Sequence, residues 1–443
     1  MIARLVLASA IASFVVVAPR FGRAETAAAV DSRDRPATTT PFTPDVYHAR
    51  RMKLLSLMKK GVGVVLSAGH NDHPESGQDT NYMYLTGLFD ERDGALLLAP
   101  EAPPEYREQL FLSSPRPERD RFSGYRALLP NHGVEQRTGF EMVKRMEVLS
   151  WELVLQLEQH KVLQYLLGPV PYEAELPKVA EIYDKTAKRV IGSKTEDAHL
   201  LLGRMRMSKE PRELEKIQRA TDITVAGHLE AMRRVHPGMH EWELKQIVED
   251  TFRAGGARRL SYPSIVGAGP DGCVLHYPDD DRVIGDGELV LIDAGAEFDH
   301  YATDVTRTFP ASGHFTAEQR KIYDIVLKAQ NAAIAKVKPG VTWGELQRTA
   351  AKVISDAGYY EYFIHGVGHH VGLEVHDLSD LQYEPIAEGS VITIEPGIYI
   401  PEKKLGVRIE DTILVTRSGP KLLSGALPRE ADAVERAMAA KKK

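Results

Sequence analysis

Apolar positions along the chain fall into two regimes. In the first, residues 48–59 repeat their apolar positions at helical spacing, 62–66 reads as a buried strand, and 94–98 and 109–112 read as further strands. A helical pattern then dominates from 139 to about 187. This alternation predicts an α/β domain. Residues 208–237 carry a long helical period, with Glu210-Pro211 suited to a first turn, and 238–257 read as the next helix. From Ile265 the character changes. Segments 289–294, 303–308, 391–395 and 407–415 are short apolar strands punctuated by Gly and Pro, with helices expected at 316–337 and 343–358. That pattern predicts an α+β domain with an antiparallel sheet, and the change of regime falls near residues 195–205.

Length agrees with two domains, because 443 residues exceed one ordinary domain of about 100–200. Hydrophobic residues at 43% and charged residues at 27% are the balance of a chain with a proper core. The net charge is -6, and the only Lys/Arg run longer than two is the terminal Lys441-Lys442-Lys443, so nucleic-acid binding has no electrostatic footprint and none is expected. The beginning reads as an export signal: Arg4, an uncharged apolar stretch over 5–18, then small residues at Gly22 and Ala24. The stretch is shorter than the ~20 residues a spanning helix needs, which favours a signal over an anchor. The expected layout is a signal over 1–24, an Ala/Thr/Pro-rich tether over 25–44, a first domain over 45–200 and a second over 201–437. A periplasmic or secreted protein without stable membrane insertion follows, its charge moving to -9 as Arg4, Arg20 and Arg23 leave. The one cysteine, Cys273, cannot form an intramolecular disulfide and reads as a small buried filler.

Chemistry enters through acids placed where charge does not belong. Asp293 ends Leu289-Val290-Leu291-Ile292, and Glu395 ends Val391-Ile392-Thr393-Ile394. Asp304 lies in the β-rich run 303–309, and Glu410 follows Val407-Arg408-Ile409. A buried carboxylate must be paired, protonated or bound to metal. One such acid would suit a buried salt bridge. Four in apolar strands with sparse Lys and Arg suggest a divalent cation, since converging carboxylates repel. Asp293 and Asp304 flank a turn at 297–300, so a hairpin would set them facing each other; Arg408 and Glu410 alternate at period two and would share a face. Two metals about 3.5–4 Å apart are a recurrent hydrolytic arrangement for such acids.

The segment His365-Gly366-Val367-Gly368-His369-His370-Val371-Gly372-Leu373-Glu374-Val375-His376-Asp377 would supply a histidine ligand. Its glycines argue for an irregular loop, and the helical H-E-x-x-H motif is absent. His370 is expected to face away, as a structural or solvent-exposed residue. A histidine-rich surface loop is the plainer alternative for the segment. His276, in Val274-Leu275-His276-Tyr277, would by itself read as a core histidine. His70, Asp72 and His73 read as a polar surface loop.

Taken in order, the strings 274–277, 289–310, 365–377, 393–401 and 406–416 resemble the pita-bread metallopeptidases, aminopeptidase P (Xaa-Pro aminopeptidase) in particular, with prolidase as a close relative. Looser resemblance runs through Asn81–Gly87 and Tyr262–Val266 and covers roughly 45–437. The resemblance implies a pita-bread catalytic domain with a curved antiparallel sheet. It also implies metal ligands at Asp293, Asp304, His369, Glu395 and Glu410. Asp293 would chelate one metal, His369 and Glu395 would serve the other, and Asp304 and Glu410 would bridge. Two Mn(II) ions are implied, with Co(II) or Zn(II) as alternatives.

By the same resemblance Glu395 would shuttle a proton, His376 would steady an oxyanion, and His276 and His365 would line the substrate pocket. Arg408 would hold Glu410 or another acid. The implied substrates are peptides with Pro in second position, and the implied assembly is a homo-oligomer, dimer or tetramer. One departure is Asp280, within Asp279-Asp280-Asp281, where the family often has Asn; it puts chain-length preference in question. Prolidase shares every ligand. Tyr84-Leu85-Thr86-Gly87, residues 115–126 and Ile400-Pro401 look more like aminopeptidase P. A creatinase-like amidinohydrolase does not keep this ligand set. A binding protein that retains the fold is the non-enzymatic alternative.

Overall fold

The computed structural model describes residues 40–69, 78–118, 128–129, 133–168 and 177–440. The expected signal, most of the tether, the loop with His70 and His73, and most of 115–126 lie outside the described residues. Among the described residues, no helix is long and apolar enough to cross a membrane.

The first domain is built on strands β1 (Gly63–Leu66), β2 (Ala95–Leu98), β3 (Glu108–Leu112) and β4 (Met142–Arg145) in that order, the first three antiparallel and β4 parallel to β3. β5 (Val162–Tyr165) and β6 (Lys194–Asp197) pair in parallel, and a bridge between Val62 and Leu163 joins β5 to the head of β1. β2 is interior, which is why its sequence is apolar at every position and fully buried.

Helical patterns are expected to dominate from 139 to about 187. Among the described residues Leu149–His160 and Lys178–Ala187 are α-helical and Met146–Val148 is a 3-10 turn, while strands β4 and β5, which the pattern does not show, lie among them. Lys161 takes a left-handed conformation, φ 58°, ending the first helix and turning the chain straight into β5. Pairing with β3 and β6 overrides the local pattern there. The region of the regime change is itself helical, His199–Met207.

In the second domain, helix Pro211–Arg234 starts as its sequence predicts, with Pro211 in the first turn and Glu210 and Glu213 forming a reciprocal cap. Helix Glu241–Ala254 follows, and its Leu244, Val248 and Phe252 bury against Val266, Val290, Ile292 and Phe309. These side chains come from an antiparallel sheet of β8 (Ile265–Ala268), β9 (Leu289–Asp293) and β11 (Thr306–Pro310), with β9 in the middle. A small pair, β7 (Arg259–Leu260) and β10 (Ala296–Glu297), flanks it.

Two further antiparallel units are β12 (Val391–Ile394) with β15 (Asp411–Thr416) and β16 (Gly419–Leu422), and β13 (Gly397–Ile400) with β14 (Leu405–Arg408). Helices Ala317–Ile334 and Trp343–Asp356, each capped by a threonine (Thr316, Thr342), cover the buried face formed by Ile392, Ile394, Ile398, Val407 and Ile413. Burying one such Ile or Phe side chain stabilises by about 1.5–3 kcal/mol.

Two expected strands are redrawn. Segment 303–308 is strand only from Thr306, and 407–415 is not one strand. The chain leaves β14 after Arg408, passes Ile409 and Glu410, and enters β15 at Asp411 in a different sheet. The two domains share an apolar contact of Tyr47, Tyr84 and Leu85 with Tyr301, Val371 and Leu373. Buried Arg50 bridges from the first domain to Glu210 and Glu213.

Candidate metal centre

Each acid singled out by sequence stands where a strand ends or has yet to begin. Asp293 is the last residue of β9, opposite Thr306. The chain then passes a tight hairpin at Phe298–Tyr301, whose central Asp299 and His300 have φ of 47° and 68°. It returns with Asp304 ahead of β11. Gly295 makes the approach possible: a Cβ there would lie 1.9 Å from the carbonyl oxygen of Thr303. A threonine replaces the missing strand partner, since Thr412 Oγ1 donates to Asp304 O at 2.6 Å and accepts from Asp304 N at 3.3 Å.

Glu395 lies between β12 and β13, its N–H on Val367 O at 2.9 Å. Glu410 lies at the crossing from β14 to β15, its N–H on Thr306 O at 3.1 Å. His369 is oriented by a bond from its N–H to Thr393 Oγ1 at 3.0 Å and by Nδ1 beside His370 O at 3.1 Å. That leaves Nε2 facing Asp304 Oδ2 at 3.3 Å and Glu395 Oε1 at 3.4 Å. Ligand atoms of Asp304, His369 and Glu410 lie within 4.8 Å of one another.

Tyr262 Oη is shared by Asp293 Oδ1, at 2.5 Å, and Asp304 Oδ1. One hydroxyl proton cannot serve two ionised carboxylates, so this corner needs an added proton or a cation. Glu410 Oε2 accepts from Thr306 Oγ1 at 2.6 Å, while the buried Oε1 has no partner among the described residues. Burial, then the charges of Asp293 and Glu395, push Asp304 well above the usual carboxylate range. Burial and the charge of Asp304 do the same to Glu410. Asp293 goes the other way: burial opposes ionisation, but the Arg408 charge and the Tyr262 bond overcome it. An orphaned oxygen, hard oxygen donors and one imidazole fit divalent cations.

Arg408 meets the same hydroxyl as Glu410, since Thr306 Oγ1 accepts from Arg408 Nε and donates to Glu410 Oε2, although β14 ends at Arg408. Its guanidinium holds Asp293 Oδ2 at 2.6 Å, Tyr399 Oη at 2.8 Å and Thr306 Oγ1 at 3.1 Å. His370 is buried, edge-on to Trp343 with centroids 5.3 Å apart, so the solvent-exposed alternative falls away; burial pushes its pKa down to about 3. Cys273 is half-buried, not a core filler.

A cavity of about 590 Å³ opens onto these residues, lined by Asp293, Asp304, His369, Glu395, Arg408 and by His276, His365 and His376. His276 is therefore no core histidine. The His376 ring stands edge-on to His369, centroids 4.3 Å apart. His365 Nε2 meets Tyr399 Oη at 2.9 Å, and burial lowers its pKa. Lys245 also lines the cavity and pairs with Asp280 Oδ2 at 2.5 Å. Sequence reasoning passed over Tyr399, Thr306, Thr393 and Thr412, and took Tyr262 only as part of a string. Their common signal was a hydroxyl within two residues of an acid or a turn, which β-forming segments carry anyway.

An α/β domain thus leads into antiparallel sheets whose ends bring four carboxylates and a histidine together, a donor set suited to divalent cations. The model "Metallopeptidase family M24" matches residues 215–417, and "Aminopeptidase P, N-terminal domain" matches 47–164. The chain is 36% identical to a Xaa-Pro aminopeptidase of Haemophilus influenzae over 392 residues, 82% of this chain and 88% of that one. It is 41% identical to a Xaa-Pro dipeptidase of Pyrococcus furiosus, over 223 residues, 50% of this chain and 64% of the other. The solved structure of proline aminopeptidase P II from Yersinia pestis superposes with a TM-score of 0.79 at 28% identity, covering 90% of this chain and all of that one. The chain belongs to metallopeptidase family M24, with an N-terminal domain of the aminopeptidase P type. It is a metal-dependent aminopeptidase.

Proposed function

We propose that the protein releases the N-terminal residue from peptides with proline in second position, using two divalent cations. The observation that carries this reading is the ligand set at the base of a cavity walled by His276, His365 and His376. The relative that matches along most of both chains is an aminopeptidase, whereas the dipeptidase match spans half of this chain.

Asp293, Asp304, His369, Glu395 and Glu410 would hold the cations, Mn(II) first, with Co(II) or Zn(II) as alternatives. Such a pair supplies a water of lowered pKa and a polarised carbonyl. Glu395 takes the proton of the attacking water and returns it to the proline nitrogen as the amide bond breaks. His376 donates to the oxygen of the tetrahedral intermediate. His276 and His365 hold the peptide against the ligands, and Arg408 keeps Asp293 ionised. A Xaa-Pro bond is a tertiary amide without an N–H, so recognition rests on the ring, for which Pro263, Leu275 and Val375 provide apolar wall.

The test is hydrolysis of a Xaa-Pro-Xaa tripeptide and of a Xaa-Pro dipeptide, with and without chelator. Chelation should abolish tripeptide cleavage and Mn(II) restore it. No proline-dependent cleavage with Mn(II) present overturns the reading and leaves a binding protein. Cleavage of the dipeptide alone turns it into prolidase. Export is proposed on residues 1–24, and N-terminal sequencing of the mature protein checks it. The proposed assembly is a dimer or tetramer, measured by light scattering.

A further inference from the structure

The loop that carries His376 is fastened from outside the metal centre. Asp377, the next residue, is 2% exposed and lies between two buried cations. Arg206 Nη2 donates to its Oδ1 at 2.5 Å, and Lys209 Nζ donates to its Oδ2 at 3.3 Å. Both bases come from the stretch that joins the domains: Arg206 from helix His199–Met207, Lys209 just ahead of helix Pro211–Arg234. The other terminal nitrogen of Arg206 reaches into the first domain, donating to Asn81 Oδ1 at 2.7 Å and Thr80 Oγ1 at 3.0 Å. Thr80 Oγ1 in turn donates to Glu374 Oε1 at 2.9 Å. The loop is thus gripped on both sides of His376.

Its neck is closed as well. Asp377 N–H donates to His370 O at 2.9 Å, next to the ligand His369. Gly372 folds over the Asp377 carboxylate so closely that a Cβ would lie 2.1 Å from Oδ2. Burying two cations with one carboxylate is a poor route to stability, because apolar replacements of such clusters are often neutral or stabilising. What the arrangement provides is direction. Each carboxylate oxygen is held from a different element, so neither Asp377 nor the residue before it can shift alone.

We propose that Arg206 and Lys209 are positioning residues. Through Asp377 they set where His376 stands over the metal centre, and through Thr80 and Asn81 the first domain shares that task. The inference rests on the peptidase reading of the site. The competing idea is a structural staple, which would move thermal stability and leave turnover alone.

Full-length Arg206→Met, Arg206→Lys and Asn81→Ala are assayed on a Xaa-Pro-Xaa tripeptide for kcat, KM, bound metal and Tm. Arg206→Met should lose about 10–100-fold in kcat, with KM and metal content kept. Arg206→Lys should regain part, since an ammonium can hold Asp377 but cannot span to Asn81 and Thr80 in one plane. Asn81→Ala, which meets only the far side of the guanidinium, should show a smaller fall of the same kind. Added to His376→Ala, Arg206→Met should cause little further loss, because both act through one ring. Should Arg206→Met not fold, Arg206→Lys and Asn81→Ala decide. Unchanged kcat in the folded variants, or losses that add to that of His376→Ala, overturn the proposal while the wild type still cleaves. A wild type that cleaves no proline peptide removes the peptidase reading itself and the proposal with it.

Discussion

Arg408 donates to Asp293 Oδ2 at 2.6 Å while its other nitrogens are fixed on Tyr399 and Thr306. Held at three points, the guanidinium cannot swing across to Glu410. It therefore sorts the carboxylates, keeping Asp293 ionised while Asp304 and Glu410 are pushed up. Arg408→Met should raise the Asp293 pKa and weaken Mn(II) affinity and turnover by about 10–100-fold. Arg408→Lys should recover only part, lacking the planar fork. Calorimetric titration of Mn(II) beside peptide hydrolysis checks both.

Glu410 gives a prediction of opposite sign in metal-free protein. Its folded pKa is raised, first by burial and then by Asp304. Such a group stabilises fully below the ordinary glutamate pKa, and that stability is lost as pH rises through the folded value. Chelated Glu410→Gln should therefore melt above chelated wild type at pH 7–8, the gap closing toward pH 4. The same variant should lose the Mn(II)-induced rise in Tm. Thermal scans at three pH values decide; a variant less stable than wild type throughout contradicts the account.

His228 controls a different part of the pH range. It is fully buried beside Ala294 O, and burial, with Arg307 second, lowers its pKa to about 4. A histidine with a lowered folded pKa contributes stability that is complete above about 6.5 and lost as pH falls toward 4. The loss over that window is on the order of 3 kcal/mol. His228→Gln should flatten the acid limb of the stability curve there, read by urea unfolding at pH 7, 5.5 and 4.

Lys245 lines the cavity, and Asp280 holds it at 2.5 Å. Asp280→Asn leaves the ammonium without its anion. KM for a tripeptide acid should then fall by up to about fivefold, the worth of a solvent-screened pair, while kcat stays the same. The C-terminal amide of that peptide should show no such change. Equal KM shifts for acid and amide would refute a charge effect.

The acids were legible in sequence because an ionised group at the end of an apolar strand breaks the rule of burial, and four did so. The glycines of 365–377 likewise marked an irregular loop. Three things stayed hidden. The crossing at Ile409 and Glu410 leaves no local mark, because the apolar pattern runs straight through from 407 to 415. The partner of Arg408 depends on register: it is 115 residues away in sequence. Thr306, Thr393 and Thr412 read as ordinary β-formers, and their hydroxyls find the Glu410 carboxylate or the backbones of His369 and Asp304 only once distant strands dock, Thr393 also donating to the nearby Glu395 carboxylate. The strands missed among the helical patterns beyond residue 139 have the same origin, since β4 and β5 exist through their neighbours.

The placement of Asp293, Asp304, Glu395 and Glu410 at strand ends also bears on how the protein matures. Asp293 and Asp304 flank the pair β9–β11, Glu395 and Glu410 flank the pair β13–β14, and His369 stands on a loop, so no single hairpin carries more than two of the five donors. The full set of donors therefore exists only where the two hairpins and the loop have docked, so the site is a product of tertiary assembly and not of any local segment.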